Sequence, residues 1–158
     1  MSRVVWRIAT DTPTFTADDL AGTGAKLTGG RWNRPGTALL YCAENIALAS
    51  LETFVHLNAR RLPLNRYLVR IEIADATWNA AVVLTAATAA VGWDAIPTGK
   101  VSLDAGDAWA ASGASALLLV PSVIVPEEQN ILINPLHADA KKITASKIRK
   151  WNYDARMG

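Results

Sequence analysis

The residues best suited to chemistry lie in one stretch, Gly29-Gly30-Arg31-Trp32-Asn33-Arg34-Pro35-Gly36, which sets two guanidinium groups, an indole and a carboxamide in a glycine-rich loop. A guanidinium offers a planar fork of donors matched to phosphate oxygens, and glycines let backbone N–H groups approach the same anion. The combination suits a nucleotide diphosphate, or else an ordinary glycine turn with Trp32 packed inside. It is neither the G-x-G-x-x-G turn of dinucleotide folds nor a P-loop. Glu52 follows Leu51 directly in a helical pattern and so borders an apolar stripe, where a carboxylate needs a partner or a role. A surface ion pair is the plainer account. Tyr41 ends a buried strand pattern and reads as a core aromatic or a catalytic group. Ser122 falls between two apolar runs at an expected bend, where its hydroxyl can bond nearby backbone. There is no G-x-S-x-G elbow, and neither His56 nor His137 is placed as a base for it, so a serine hydrolase triad has no support. Two histidines without H-E-x-x-H, and no EF-hand loop, give none to a metal centre. Cys42 reads as a small buried residue.

These groups must be held by elements that the residue pattern suggests. Val4 to Ile8 is a β-branched and aromatic run closed by a turn at Thr10-Asp11-Thr12-Pro13, and the chain then reads as loop until Tyr41, with Ala38 to Cys42 as a short buried strand. Leu48, Leu51 and Val55 recur at helical spacing, so a helix is expected from Ala43 to about Ala59. From Arg66 to Ile73, Tyr67, Val69, Ile71 and Ile73 alternate with polar residues, the pattern of a half-buried strand. Residues 80 to 100 yield only short pieces. Asp104 to Ser112 suits a helix with Asp104 as N-cap and Gly113 as its stop. Ala116–Val120, Val123–Val125 and Asn130–Asn134 read as strands, and Lys142–Tyr153 fits either strand or helix.

The 158 residues, 51% hydrophobic and 19% charged, form a single domain by this reading, residues 1–158. One cysteine excludes an intramolecular disulfide and a zinc site of several thiolates, and makes the cytosol the natural compartment. No apolar run is long enough to suggest a signal peptide or a membrane span. The net charge of +2 gives no case for nucleic acid, although Arg60, Arg61, Arg66 and Arg70 cluster, as do Lys141, Lys142, Lys147, Arg149, Lys150 and Arg156. Solvated faces explain these clusters, or one of them attracts an anionic ligand or acidic partner.

Gly30-Arg31-Trp32-Asn33, Leu40-Tyr41, Ala47-Leu48-Ala49-Ser50-Leu51-Glu52, Val120-Pro121-Ser122, Asn134-Pro135 and Tyr153-Asp154-Ala155-Arg156 together resemble the RES domain, the toxin component of bacterial Xre/RES toxin–antitoxin pairs. The resemblance spans nearly the whole chain. The family's naming arginine, glutamate and serine would match Arg31, Glu52 and Ser122. It implies a compact α/β (α+β) domain like the ADP-ribosyltransferases, with small mixed sheets, flanking helices and a ligand cleft, and it turns Lys142–Tyr153 toward strand. It also implies a cytoplasmic toxin that cleaves the nicotinamide–ribose bond of NAD, with no cofactor beyond NAD as substrate and no metal. Water, phosphate or a protein side chain would be the acceptor; depletion of NAD by hydrolysis or phosphorolysis comes first, with ADP-ribosylation of a protein as the alternative. An Xre-type antitoxin would neutralise it in a hetero-oligomer and would make the DNA contacts. Cleavage builds positive charge on the ribose, so a carboxylate there stabilises the transition state. In this scheme Glu52 is that carboxylate and Arg31 holds the pyrophosphate. Tyr41 packs on nicotinamide or ribose, Trp32, Asn33, Ser122 and Asn134 orient the ligand, and Arg7 on the first strand faces the cleft. A catalytically inert nucleotide-binding module is the competing class.

Overall fold

The apolar runs join as one mixed sheet in the computed structural model, which describes residues 1–57 and 65–157. The strands are β1 (Ser2–Thr10), β2 (Leu40–Ala43), β3 (Arg66–Ala74), β4 (Val82–Val83), β5 (Leu117–Pro121), β6 (Gln129–Ile133) and β7 (Thr144–Lys150). Their spatial order is β4-β5-β6-β2-β1-β3-β7, antiparallel throughout except for the parallel β4–β5 pair. The helices are α1 (Thr23–Thr28), α2 (Ile46–Phe54), α3 (Asp75–Asn79) and α4 (Lys100–Ser112).

β1 pairs with β3 along its whole length, from Ser2↔Ala74 to Thr10↔Arg66, yet it meets β2 only at Trp6↔Ala43. The small sheets implied by the family resemblance are thus two halves of one continuous sheet, joined at a single residue pair. Strand alternation sorts the side chains by face. Val5, Ala9, Leu40, Cys42, Val69, Ile71, Ile73, Leu117, Leu119, Ile131 and Ile133 bury together on one face. The other face carries two separate clusters. Trp32, Leu39, Trp93, Trp109, Leu118, Val120 and Leu132 form one, and Ile8, Ala43, Leu48, Ala49, Leu68 and Tyr153 form the other.

Several boundaries differ from the residue pattern. α2 starts at Ile46 because the Asn45 side chain accepts the Leu48 N–H at 2.7 Å, leaving Ala43 to β2. Val55 follows the helix and is exposed, and the expected continuation through Asn58 and Ala59 lies outside the described residues, as do Arg60 and Arg61. α4 begins at Lys100 after Gly99, so Asp104 is not its N-cap; the Asp104 carboxylate instead pairs with Arg34 and Lys100. The segment expected as loop up to Tyr41 contains α1. Val123–Val125 is a bend and not a strand, because the Ile124 and Val125 N–H groups turn back onto the Ser122 hydroxyl. Thr144–Lys150 is strand, as the family resemblance implies.

Candidate active site

Glu52 lies on α2, half-buried, on the face where the two clusters meet. Its Oε1 accepts the Ser122 hydroxyl at 2.6 Å and the Asn130 side-chain N–H at 2.7 Å. Oε2 accepts no hydrogen bond among the described residues. Ser122 is fully buried just beyond β5, and its oxygen also accepts the Ile124 and Val125 N–H groups, each at 3.1 Å. A hydroxyl so committed is a structural donor and not a nucleophile.

Tyr41 stands on the same face. It lies two residues along β2 from Ala43, which pairs with Asn130 on β6. Its hydroxyl donates to Asn33 Oδ1 at 2.5 Å and accepts the Trp32 N–H at 3.0 Å. Burial pushes the phenol well above its ordinary pKa, so the hydroxyl stays neutral, and the half-buried ring packs against the Trp32 cluster. The loop passes so close that a Cβ on Gly30 would stand 2.6 Å from the Tyr41 hydroxyl oxygen, which only glycine avoids.

Asn33 is wholly buried, its amide donating to the carbonyls of Ala25 and Thr37, each at 2.9 Å, so it braces the loop from within. Trp32 is buried against Trp93, with ring centroids 6.3 Å apart. Arg31 donates Nη1 to the carbonyls of Trp93 and Ala95, at 3.0 and 2.9 Å. Its Nε and Nη2 have no partner among the described residues. Arg34 fastens the other end of the loop to α4, with Asp104 at 2.7 Å and Asp107 at 2.9 Å.

Arg7 projects from the opposite face, alongside Val5 and Ala9, and donates Nη1 to the Tyr41 carbonyl at 3.1 Å where β1 and β2 part. Its Nε is buried without a hydrogen-bond partner among the described residues, and burial lowers its pKa from the usual arginine range. Asn134 lies past the far end of β6, about 13 Å along the strand from Asn130, and ties that end to α4 through the Ala110 carbonyl at 3.0 Å. The structure thus groups Glu52 with Ser122, and Arg31, Trp32 and Asn33 with Tyr41, on one side of the sheet. It places Arg7 and Asn134 apart from Glu52. Among the described residues no cluster of His, Cys, Asp and Glu could hold a metal ion.

Sequence reasoning missed Asn130 and the Arg34–Asp104–Asp107 clamp. The available signal for Asn130 was a carboxamide just before the apolar run Ile131–Ile133, in register with Ala43 and Val120. The clamp joins positions some seventy residues apart and leaves no local pattern.

The RES domain model matches residues 4–156. The Prs ADP-ribosylating toxin of Sphingobium sp. (strain YBL2) is 60% identical over 99% of this chain and 98% of its own length. Toxin Res of Pseudomonas putida is 32% identical over 98% of this chain and 99% of its own. Among solved structures, the Mycobacterium tuberculosis MbcT-MbcA toxin–antitoxin complex contains a chain of similar fold, with a TM-score of 0.64, 16% identity, and coverage of 94% of this chain and 85% of that one.

Proposed function

The chain belongs to the RES-domain toxin family, and from that premise we propose that it cleaves the nicotinamide–ribose bond of NAD and transfers the ADP-ribosyl group to a protein side chain. The observation that carries this reading is Glu52, held by one oxygen on the sheet face that also bears Tyr41 and the Arg31 loop. As the bond between ribose C1′ and the pyridinium nitrogen breaks, its electron pair leaves with neutral nicotinamide and positive charge gathers on the ribose. Glu52 Oε2 faces that charge and stabilises it more in the transition state than in the ground state. Arg31 meets the pyrophosphate through Nε and Nη2, and the Tyr41 ring supports the nicotinamide or ribose. The acceptor's lone pair then forms the new bond at C1′, and the acceptor loses a proton to solvent or to Glu52.

NAD depletion by water or phosphate leads in the sequence reading, whereas the Sphingobium relative, 60% identical, is named as an ADP-ribosylating toxin. We therefore place a protein acceptor first. An antitoxin that covers this face is the expected partner, and the NAD pool of the cytoplasm is the expected substrate.

The test incubates folded, antitoxin-free protein with NAD, with and without phosphate and with a bacterial protein extract, and resolves the products by mass. Nicotinamide together with an ADP-ribosyl adduct on protein is the expected result. Free ADP-ribose, or its phosphate ester, moves the acceptor to water or phosphate. Intact NAD in all three mixtures refutes the enzymatic reading.

A further inference from the structure

We propose that Asn130, outside the arginine–glutamate–serine set that names the family, is a positioning residue that fixes the rotation of the Glu52 carboxylate and so determines which oxygen meets the ribose. The proposal rests on Glu52 being the reacting carboxylate. Asn130 and Ser122 both donate to Oε1, at 2.7 and 2.6 Å, from adjacent strand ends. Two short donors on one carboxylate oxygen occupy its lone-pair directions and stop the group from turning. Neither donor alone does this, because a single bond leaves the carboxylate free to swing about it.

The frame around Asn130 is rigid. Asn45, which caps α2, donates to Glu128 at 2.8 Å, and Glu44 accepts the Gln129 N–H at 3.0 Å, so the start of β6 is tied to the start of the helix that carries Glu52. Asn130 Oδ1, by contrast, is buried with no hydrogen-bond partner among the described residues. A buried acceptor left unpaired is costly and uncommon, and such groups call for a role. An apolar residue would avoid the orphaned oxygen but could not donate to Glu52, and an ionised aspartate would keep an unpaired oxygen there and donate nothing. The carboxamide is therefore explained by its N–H.

The test measures nicotinamide release from NAD, and NAD binding, for Asn130→Ala, the isosteric Asn130→Asp, Glu52→Gln, and the Glu52→Gln/Asn130→Ala double variant. Misplacing a reacting group by about 1 Å costs on the order of 10²-fold. Asn130→Ala is expected to lower kcat by about ten- to a hundredfold with NAD affinity nearly unchanged, and Asn130→Asp to lower it further, because it sets a second carboxylate against the first. In the Glu52→Gln background, Asn130→Ala should add almost nothing, whereas a residue that merely supports the fold would add its full effect. Wild-type kcat in Asn130→Ala overturns the proposal, as does a rise in KM at constant kcat, or full additivity with Glu52→Gln. Should Asn130→Ala not fold, Asn130→Asp decides by the same kcat and affinity criteria. If Glu52→Gln itself stays active, the reading of Glu52 fails; if only the Asn130 variants stay active, this proposal fails alone.

Discussion

Gly106→Ala is the perturbation that most directly tests how the Arg31 loop is held. Gly106 sits inside α4, and a Cβ built there would lie 1.7 Å from the Trp32 carbonyl oxygen and 2.8 Å from the Trp32 Cβ. Ordinary contact requires a separation of about 3.5 Å, so helix and loop must part by roughly 1.5–2 Å. The carbonyl is backbone and the Trp32 Cβ is fixed directly to backbone, so no rotamer change relieves the clash. In an open helix the substitution would add up to about 1 kcal/mol of stability. Overpacking of this kind costs about 1–3 kcal/mol, so the net change is a loss of up to about 2 kcal/mol, or roughly 4–8 °C in Tm for a chain of this size. The functional loss is larger, since displacing Arg31 by more than 1 Å should lower NAD cleavage at least 10²-fold. Thermal unfolding and nicotinamide release, measured on Gly106→Ala beside Gly99→Ala, make the check. An added Cβ at Gly99 meets only Ala95, at 3.6 Å. Wild-type stability and rate in Gly106→Ala would refute the view that contact between α4 and Trp32 sets the loop.

Tyr41→Phe keeps the ring but leaves the Trp32 N–H and Asn33 Oδ1 unpaired, so stability should fall by about 1–3 kcal/mol while NAD affinity falls less than in Tyr41→Ala; denaturant melts and NAD titration separate the two effects. Burial pushes the Cys42 thiol from 9.0 up to about 12. The unfolded chain therefore releases this proton above about pH 9 while the folded chain keeps it, and stability should fall between about pH 9 and 12 by about 1.4 kcal/mol per pH unit. Tyr41, whose pKa is also raised by burial, adds a slope of the same sign above about pH 10. Urea unfolding of wild type and Cys42→Val across pH 8–11 checks this, and parallel curves for the two proteins would show that the thiol is not the source.

The strands were legible because burial repeats at short range. Tyr67, Val69, Ile71 and Ile73 alternate along β3, and three of the four are nearly inaccessible, as the pattern requires. Caps and bends were less legible, because the deciding partner is not in the pattern. Asn45 shortens α2 by one side-chain bond, Ser122 bends Val123–Val125 away from strand, and Asp104 is drawn into α4 and toward Arg34. The helix border at Glu52 and the polar Ser122 were both visible as awkward residues. That each explains the other was not, since the bond between them spans seventy positions.

The tertiary arrangement also accounts for why these residue types are needed and not simply tolerated. Arg31 and Glu52 each have one part fixed and another left open among the described residues. Arg31 gives Nη1 to the Trp93 and Ala95 carbonyls and keeps Nε and Nη2, and Glu52 gives Oε1 to Ser122 and Asn130 and keeps Oε2. A lysine, with its single ammonium on a flexible stem, would have no second nitrogen to leave open once it bonded the Trp93 and Ala95 carbonyls. A side chain anchored through one of its own atoms loses little freedom when a ligand arrives and needs little rearrangement as charge develops, which is how preorganised polar groups stabilise a transition state. The packing behind these groups comes from both halves of the sheet. Glu52 rides on a helix packed with Ile8 and Leu68, while the Arg31 loop rests on Trp93 and α4. Ser122 and Asn130, near the ends of β5 and β6, bind Glu52 to the half that carries the Arg31 loop, across the single pair Trp6↔Ala43 where the halves meet.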